Sequence, residues 1–113
     1  MPAETEYRDE SRTPTRAEID AGGGPVLLEF GTAWCGYCHA LAPRITALLE
    51  DHPEVKHVKV EDGPGRLLGR SFQVRLWPNL VFLRDGRVVR QLARPSHAQL
   101  EEAFAELAGQ SAR

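Results

Sequence analysis

The only two cysteines of this 113-residue chain fall in one motif, Trp34-Cys35-Gly36-Tyr37-Cys38-His39, directly after an apolar run. If a helix begins at Cys35, its first turn offers unpaired backbone N–H groups and the positive end of the helix dipole, which favour an anion, here a thiolate. Cys38, nearly one turn later, can reach the first sulfur and close a small ring, so dithiol and disulfide interconvert with little backbone movement. Types and spacing suit thiol–disulfide exchange. Two inert buried thiols are the plain alternative, disfavoured by the position of the pair at a helix start. Cys35-Gly36-Tyr37-Cys38-His39 also satisfies the c-type haem attachment pattern, but the chain has a single methionine and strand–helix alternation rather than the all-helical order of a cytochrome. A closed zinc site wants four ligands. Beyond Cys35, Cys38 and His39 there is no second cysteine pair, and His52, His57 and His97 are scattered, so no metal and no cofactor are expected.

The elements that must position this motif are readable on both sides of it. Pro25-Val26-Leu27-Leu28-Glu29-Phe30 is a short apolar run bounded by glycines, as in a buried strand, with one anomalous acid. From Cys35 to about Asp51, Leu41, Ile45, Leu48 and Leu49 recur at helical spacing, and Pro43 is expected to kink the helix one turn in. Upstream, residues 1–12 are charged with hardly any apolar residue beyond Tyr7 and read as a mobile tail. Thr15 and Glu18 stand at capping-box spacing in a short helix that Gly22-Gly23-Gly24 ends. Downstream, residues 55–61 read as a second strand, and Asp62-Gly63-Pro64-Gly65 turns the chain toward a short helix containing Leu67, Leu68 and Phe72. The apolar runs 80–83 and 88–92 flank Asp85-Gly86, a strong hairpin signal. Ser96 then caps an amphipathic helix carrying Leu100, Phe104 and Leu107, with residues 109–113 expected to fray. This order implies an α/β domain over residues 13–108, a mixed sheet covered by helices on both faces.

Composition narrows the partners. With 42% hydrophobic residues the chain can bury one core, and a net charge of −2 with both signs interspersed gives no case for nucleic acid or an anionic membrane. No stretch of ~18 apolar residues occurs, and the N-terminus is acidic and polar, unlike a signal peptide. No cysteine is spared for structural bridges, so a cytoplasmic location is expected, or a periplasmic one if a leader has been removed.

From about Pro25 to Leu107 the chain resembles thioredoxins and thioredoxin-like thiol–disulfide oxidoreductases. The resemblance rests on Val26-Leu27-Leu28-Glu29-Phe30 leading into Ala33-Trp34-Cys35-Gly36-Tyr37-Cys38, on Ala42-Pro43, on Arg75-Leu76-Trp77-Pro78-Asn79 before a strand, and on Asp85-Gly86. It implies a thioredoxin fold, Cys35 as attacking thiolate and Cys38 as resolving thiol, the two forming the redox disulfide. It also implies a cis bond before Pro78, beside which backbone groups can pair with an extended substrate. Cys35 would attack a substrate disulfide and Cys38 would then displace the reduced product. Glu29 takes the place of the family's buried carboxylate, usually Asp, where it could accept the Cys38 proton through water. The family's lysine partner for that acid falls on His57 or Lys59. Trp34, Gly36, Tyr37, Trp77 and Pro78 are the expected substrate-binding residues.

Several departures bear on substrate and potential. Tyr37 stands where many thioredoxins carry proline, and replacements there generally accompany higher potentials, as in isomerases with Cys-Gly-Tyr-Cys. His39 replaces a common lysine four residues after Cys35 and could aid the thiolate when protonated. Gly31-Thr32 replaces a bulky aromatic and a small residue, Trp77 a smaller aliphatic, and Ala93-Arg94 a glycine on the approach to the sulfurs. The expectation is a monomeric enzyme that reduces protein disulfides through Cys35 and Cys38 and is regenerated by a thiol reductase. An isomerase-like or oxidant member, and a binding or chaperone-like module with regulatory cysteines, are the alternatives.

Overall fold

The computed structural model describes residues 3–111. Strand β1 (Pro25–Gly31) lies inside a four-stranded sheet of order β2-β1-β3-β4, with β2 at Lys56–Glu61, β3 at Asn79–Arg84 and β4 at Arg87–Ala93. It pairs in parallel with β2 and antiparallel with β3, so Glu29 lies between Lys59 and Leu80 in register. Four helices cover the sheet: α1 (Arg16–Asp20), α2 (Gly36–Asp51), α3 (Leu67–Ser71) and α4 (His97–Ser111). This is the thioredoxin fold expected from the sequence. Among the described residues no helix is long and apolar enough to cross a membrane.

Alternation along the strands divides the core in two. Leu27, Leu80 and Phe82 pack with Leu41, Ile45 and Leu49 of α2 and Leu100, Phe104 and Leu107 of α4. Leu28, Phe30, Val58, Val60, Val81 and Leu83 face the other way, onto Leu68 and Phe72. Local chemistry ends the elements where the sequence indicates. Thr15 and Glu18 form a reciprocal capping box on α1, and Ser96 and Gln99 exchange the same pair of bonds ahead of α4. Asp85 and Gly86 take φ of 52° and 78°, the two positive angles that a tight hairpin turn requires. Helix α2 runs unbroken through Pro43.

The N-terminal segment corrects the reading of residues 1–12 as a tail with nothing to dock it. Arg8 donates its N–H to the Lys59 carbonyl at 2.7 Å and accepts from the Glu61 N–H at 3.0 Å, a parallel bridge on the outer edge of β2. Glu4 adds its carboxylate to the Lys59 N–H at 2.9 Å and pairs with Arg8 at 2.7 Å, and a 3-10 turn follows at Glu10–Arg12. Docking here uses backbone groups of an otherwise open edge, which apolar periodicity does not reveal. At the other end α4 extends past residue 108 to Ser111. The expected fraying at 109–113 lies partly beyond the described residues, as do Met1 and Pro2 of the N-terminal segment.

Candidate active site

Strand β1 ends beneath the N-terminus of α2, and the turn between them carries Cys35 to the N-cap position. Its φ and ψ of −84° and 116° are extended, and its Sγ accepts the Cys38 N–H at 3.3 Å. Sulfur thus occupies the place where a serine or aspartate oxygen would satisfy a free helix N–H, and it meets the positive end of the peptide dipoles. The loop is held by Cys35 N–H to the Thr32 carbonyl at 3.3 Å and His39 N–H to the Cys35 carbonyl at 3.1 Å. Both cysteines are unbridged.

Cys35 is only 7% exposed and Cys38 2%, and the Cys35 sulfur lies at the floor of a groove. The groove encloses about 370 Å³ between Trp34, Gly36 and Tyr37 on one side and Arg75, Trp77 and Arg94 on the other. Trp34 stands 76% exposed at the rim and meets Trp77 edge-on at 5.6 Å between ring centres. Trp77 is anchored by its indole N–H to Asp62 at 2.9 Å and precedes Pro78 through a cis peptide bond. Arg94, at φ of 48°, lays its guanidinium 3.9 Å over the Tyr37 ring and donates Nε–H to the Trp77 carbonyl at 2.8 Å. The Arg94 side chain thus forms part of the groove wall over Cys35. His39 is exposed, with its ring nitrogen against the Ala33 carbonyl.

Behind the sulfurs lies a polar island in the apolar core. Glu29, 1% exposed, points to the α2 side of the sheet, and its Oε1 is 2.8 Å from Nε2 of buried His57. The His57 Nδ1 accepts the Glu4 backbone N–H at 2.8 Å. A ring whose Nδ1 accepts must carry its proton on Nε2, so His57 is neutral and donates to Glu29. Of the two candidate partners for the acid, His57 makes the contact. Lys59 is the strand partner of Glu29 by register, yet its ammonium sits 4.4 Å over the ring of Tyr7.

Tyr7 itself was not visible as a site residue. Its hydroxyl lies 3.5 Å from Glu29 Oε2, and a Cβ placed on Gly31 would stand 2.7 Å from both that hydroxyl and Cys38 Sγ. Gly31, having no Cβ, makes the room that the phenol fills. Burial, with the hydrogen bond to Cys35, pushes the Cys38 thiol up to about 11, while Tyr7 and the Thr32 backbone act the other way. The only signal for Tyr7 in the sequence is a lone aromatic in an acidic segment. Asp62 carries none. Among the described residues no group of three metal-binding side chains converges.

Comparison with known proteins agrees with this fold. The Thioredoxin family model matches residues 10–106. The reduced form of thioredoxin 2 from Pseudomonas aeruginosa PAO1 superimposes with a TM-score of 0.82 at 56% identity, covering 94% of this chain and 97% of that one. Thioredoxin Asp f 28 of Aspergillus fumigatus is 33% identical over 64 residues, 57% of this chain and 59% of that protein. The chloroplastic thioredoxin F1 of Arabidopsis thaliana is 32% identical over 85 residues, 74% of this chain and 48% of that protein. The chain thus spans about half the length of these two relatives.

Proposed function

The chain belongs to the thioredoxin family, and from that premise we propose that it is a protein thiol–disulfide oxidoreductase that reduces disulfides in other proteins. The observation that carries this reading is the Cys35 sulfur at the N-terminus of α2, accepting the Cys38 N–H at 3.3 Å, with Cys38 behind it over Glu29. A substrate disulfide enters the groove that Trp34 and Trp77 rim, and the Cys35 thiolate attacks one of its sulfurs. The product is a mixed disulfide and a released substrate thiolate. Cys38 then loses its proton toward Glu29 and attacks Cys35 Sγ, which closes the internal disulfide and expels the second substrate thiol. A thiol reductase returns two electrons to reopen the pair. Because both cysteines belong to the motif and none is left for structural bridges, the cytoplasm is the proposed compartment, with the protein acting as a monomer.

Reduction of insulin disulfides in the presence of dithiothreitol tests the reading. Cys35→Ser is expected to reduce the rate to background, and Cys38→Ser, mixed with insulin without dithiothreitol, to trap substrate as a stable mixed disulfide. Insulin reduction by Cys35→Ser at the parent rate would overturn it. Direction of electron flow is read by equilibrating the pair with glutathione buffers. Tyr37 between the cysteines supports a potential somewhat above the roughly −270 mV of thioredoxin. A value well below that removes the argument from Tyr37, and one near the isomerases favours the isomerase-like alternative.

A further inference from the structure

In the resolving step a buried thiol must lose a proton to a carboxylate on the strand beneath it. What lies between them is a side chain of the N-terminal segment. Tyr7 is fixed there from both sides: the bridge of Arg8 to Lys59 and Glu61 holds its backbone, and the Lys59 ammonium rests on its ring. Its hydroxyl is 3.5 Å from Glu29 Oε2, and phenol and thiol converge over Gly31, where any Cβ would strike both. His57 already occupies Glu29 Oε1 as a donor, so Oε2 is the oxygen left to receive a proton.

We propose that Tyr7 is a catalytic residue of the resolving half-reaction, its hydroxyl carrying the proton from Cys38 Sγ to Glu29 Oε2. This rests on the reading of Cys35 as nucleophile and Cys38 as resolving thiol. The Cys38 proton passes to the phenol oxygen as the phenol proton passes to Oε2, leaving Tyr7 neutral throughout. The Cys38 thiolate attacks Cys35 Sγ, the Cys35–Cys38 bond forms, and the bond from Cys35 to the substrate sulfur breaks. The departing thiolate takes its proton from solvent, and Glu29 loses its own along the same path when the pair is next reduced. Burial and the neighbouring Glu29 charge raise the phenol, which keeps it protonated over the working range. Glu29 from β1, Lys59 from β2, Cys35 at the N-cap of α2 and Cys38 within it act on Tyr7, and Glu6, His39, Glu50 and Glu61 line the same cavity.

Stopped-flow reaction of the reduced protein with dithiobis(nitrobenzoate) separates the two half-reactions. Attack by Cys35 releases one thionitrobenzoate, and resolution by Cys38 releases the second. Tyr7→Phe keeps the ring and removes the hydroxyl. It is expected to lower the ratio of second to first rate about tenfold at pH 7, with the deficit shrinking toward pH 10 as hydroxide takes over deprotonation. Adding Tyr7→Phe to Glu29→Gln is expected to cost less than about twofold more, because both changes break one path. A ratio unchanged from pH 6 to 9 in Tyr7→Phe, or losses that multiply in the double variant, would overturn the relay while leaving the cysteine roles intact. A parent protein with no fast first release would overturn the cysteine roles and the relay together.

Discussion

The two faces of one sheet are built from alternate residues of the same strands, yet they solve different problems. On the α3 side, Leu28, Phe30, Val58 and Val60 are buried among apolar neighbours, with Phe30 and Phe72 rings 6.0 Å apart. On the α2 side, the same strands put Glu29, His57 and Lys59 just behind the sulfurs, while the far end of that face remains apolar around Phe82 and Phe104. Glu29 and Leu28 are neighbours in sequence and equally sealed from water. One is tolerated as an acid because His57 donates to it and Tyr7 lies beside it. The contrast teaches that burial alone sets no residue type; the donors on the facing strand do.

The sharpest way to break the contrast is to move the acid across the sheet. Leu28→Glu has no donor waiting on the α3 side and is expected to abolish cooperative folding, whereas Leu28→Ala costs about 2–5 kcal/mol in urea unfolding. Glu29→Leu leaves the His57 N–H unpaired and is expected to cost about 1–3 kcal/mol, yet Glu29→Leu with His57→Leu recovers part of that loss, the rest going with the Glu4 N–H that loses its acceptor. Recovery in that double variant, with disulfide exchange still slow, separates what the island does for chemistry from what it does for folding. If the double variant is no more stable than the single one, the cost of Glu29→Leu does not come from the unpaired His57 N–H. Smaller effects belong to the groove and to pH. Arg94→Ala frees the Trp77 carbonyl and the Tyr37 ring and is expected to change KM for a protein disulfide about two- to fivefold with kcat little moved. The raised Cys38 thiol means the folded, reduced protein holds a proton that the unfolded chain gives up near 9. Its contribution is complete below pH 9 and lost as pH rises through about 11, so thermal unfolding of Cys38→Ala is expected to fall less steeply over that window.

Much of this site was legible because its signals are local. The capping box at Thr15 and Glu18, the Asp85-Gly86 turn and the helical spacing from Leu41 to Leu49 each depend on residues within a few positions of one another, and each stands where the spacing put it. The cysteine pair is of the same kind, since an N-cap sulfur and the N–H three residues on are neighbours by helix geometry. Exposure is not local. The groove that takes Cys35 down to 7% accessibility is made by Trp77 and Arg94, which arrive from loops far along the chain.

What the sequence alone determined is a pair of thiols at the start of a helix, behind a strand bearing one acid, because these follow from chain-local geometry and side-chain chemistry. Only the tertiary structure decided how that acid is partnered. His57 and Lys59 lie on the same face of β2, and strand register by itself favours Lys59. The shorter imidazole, oriented by the Glu4 N–H, takes the carboxylate, and the longer amine reaches on to Tyr7. Tyr7 entered by backbone pairing at a sheet edge, and hydrogen bonds between main-chain groups leave no mark in a pattern of side chains.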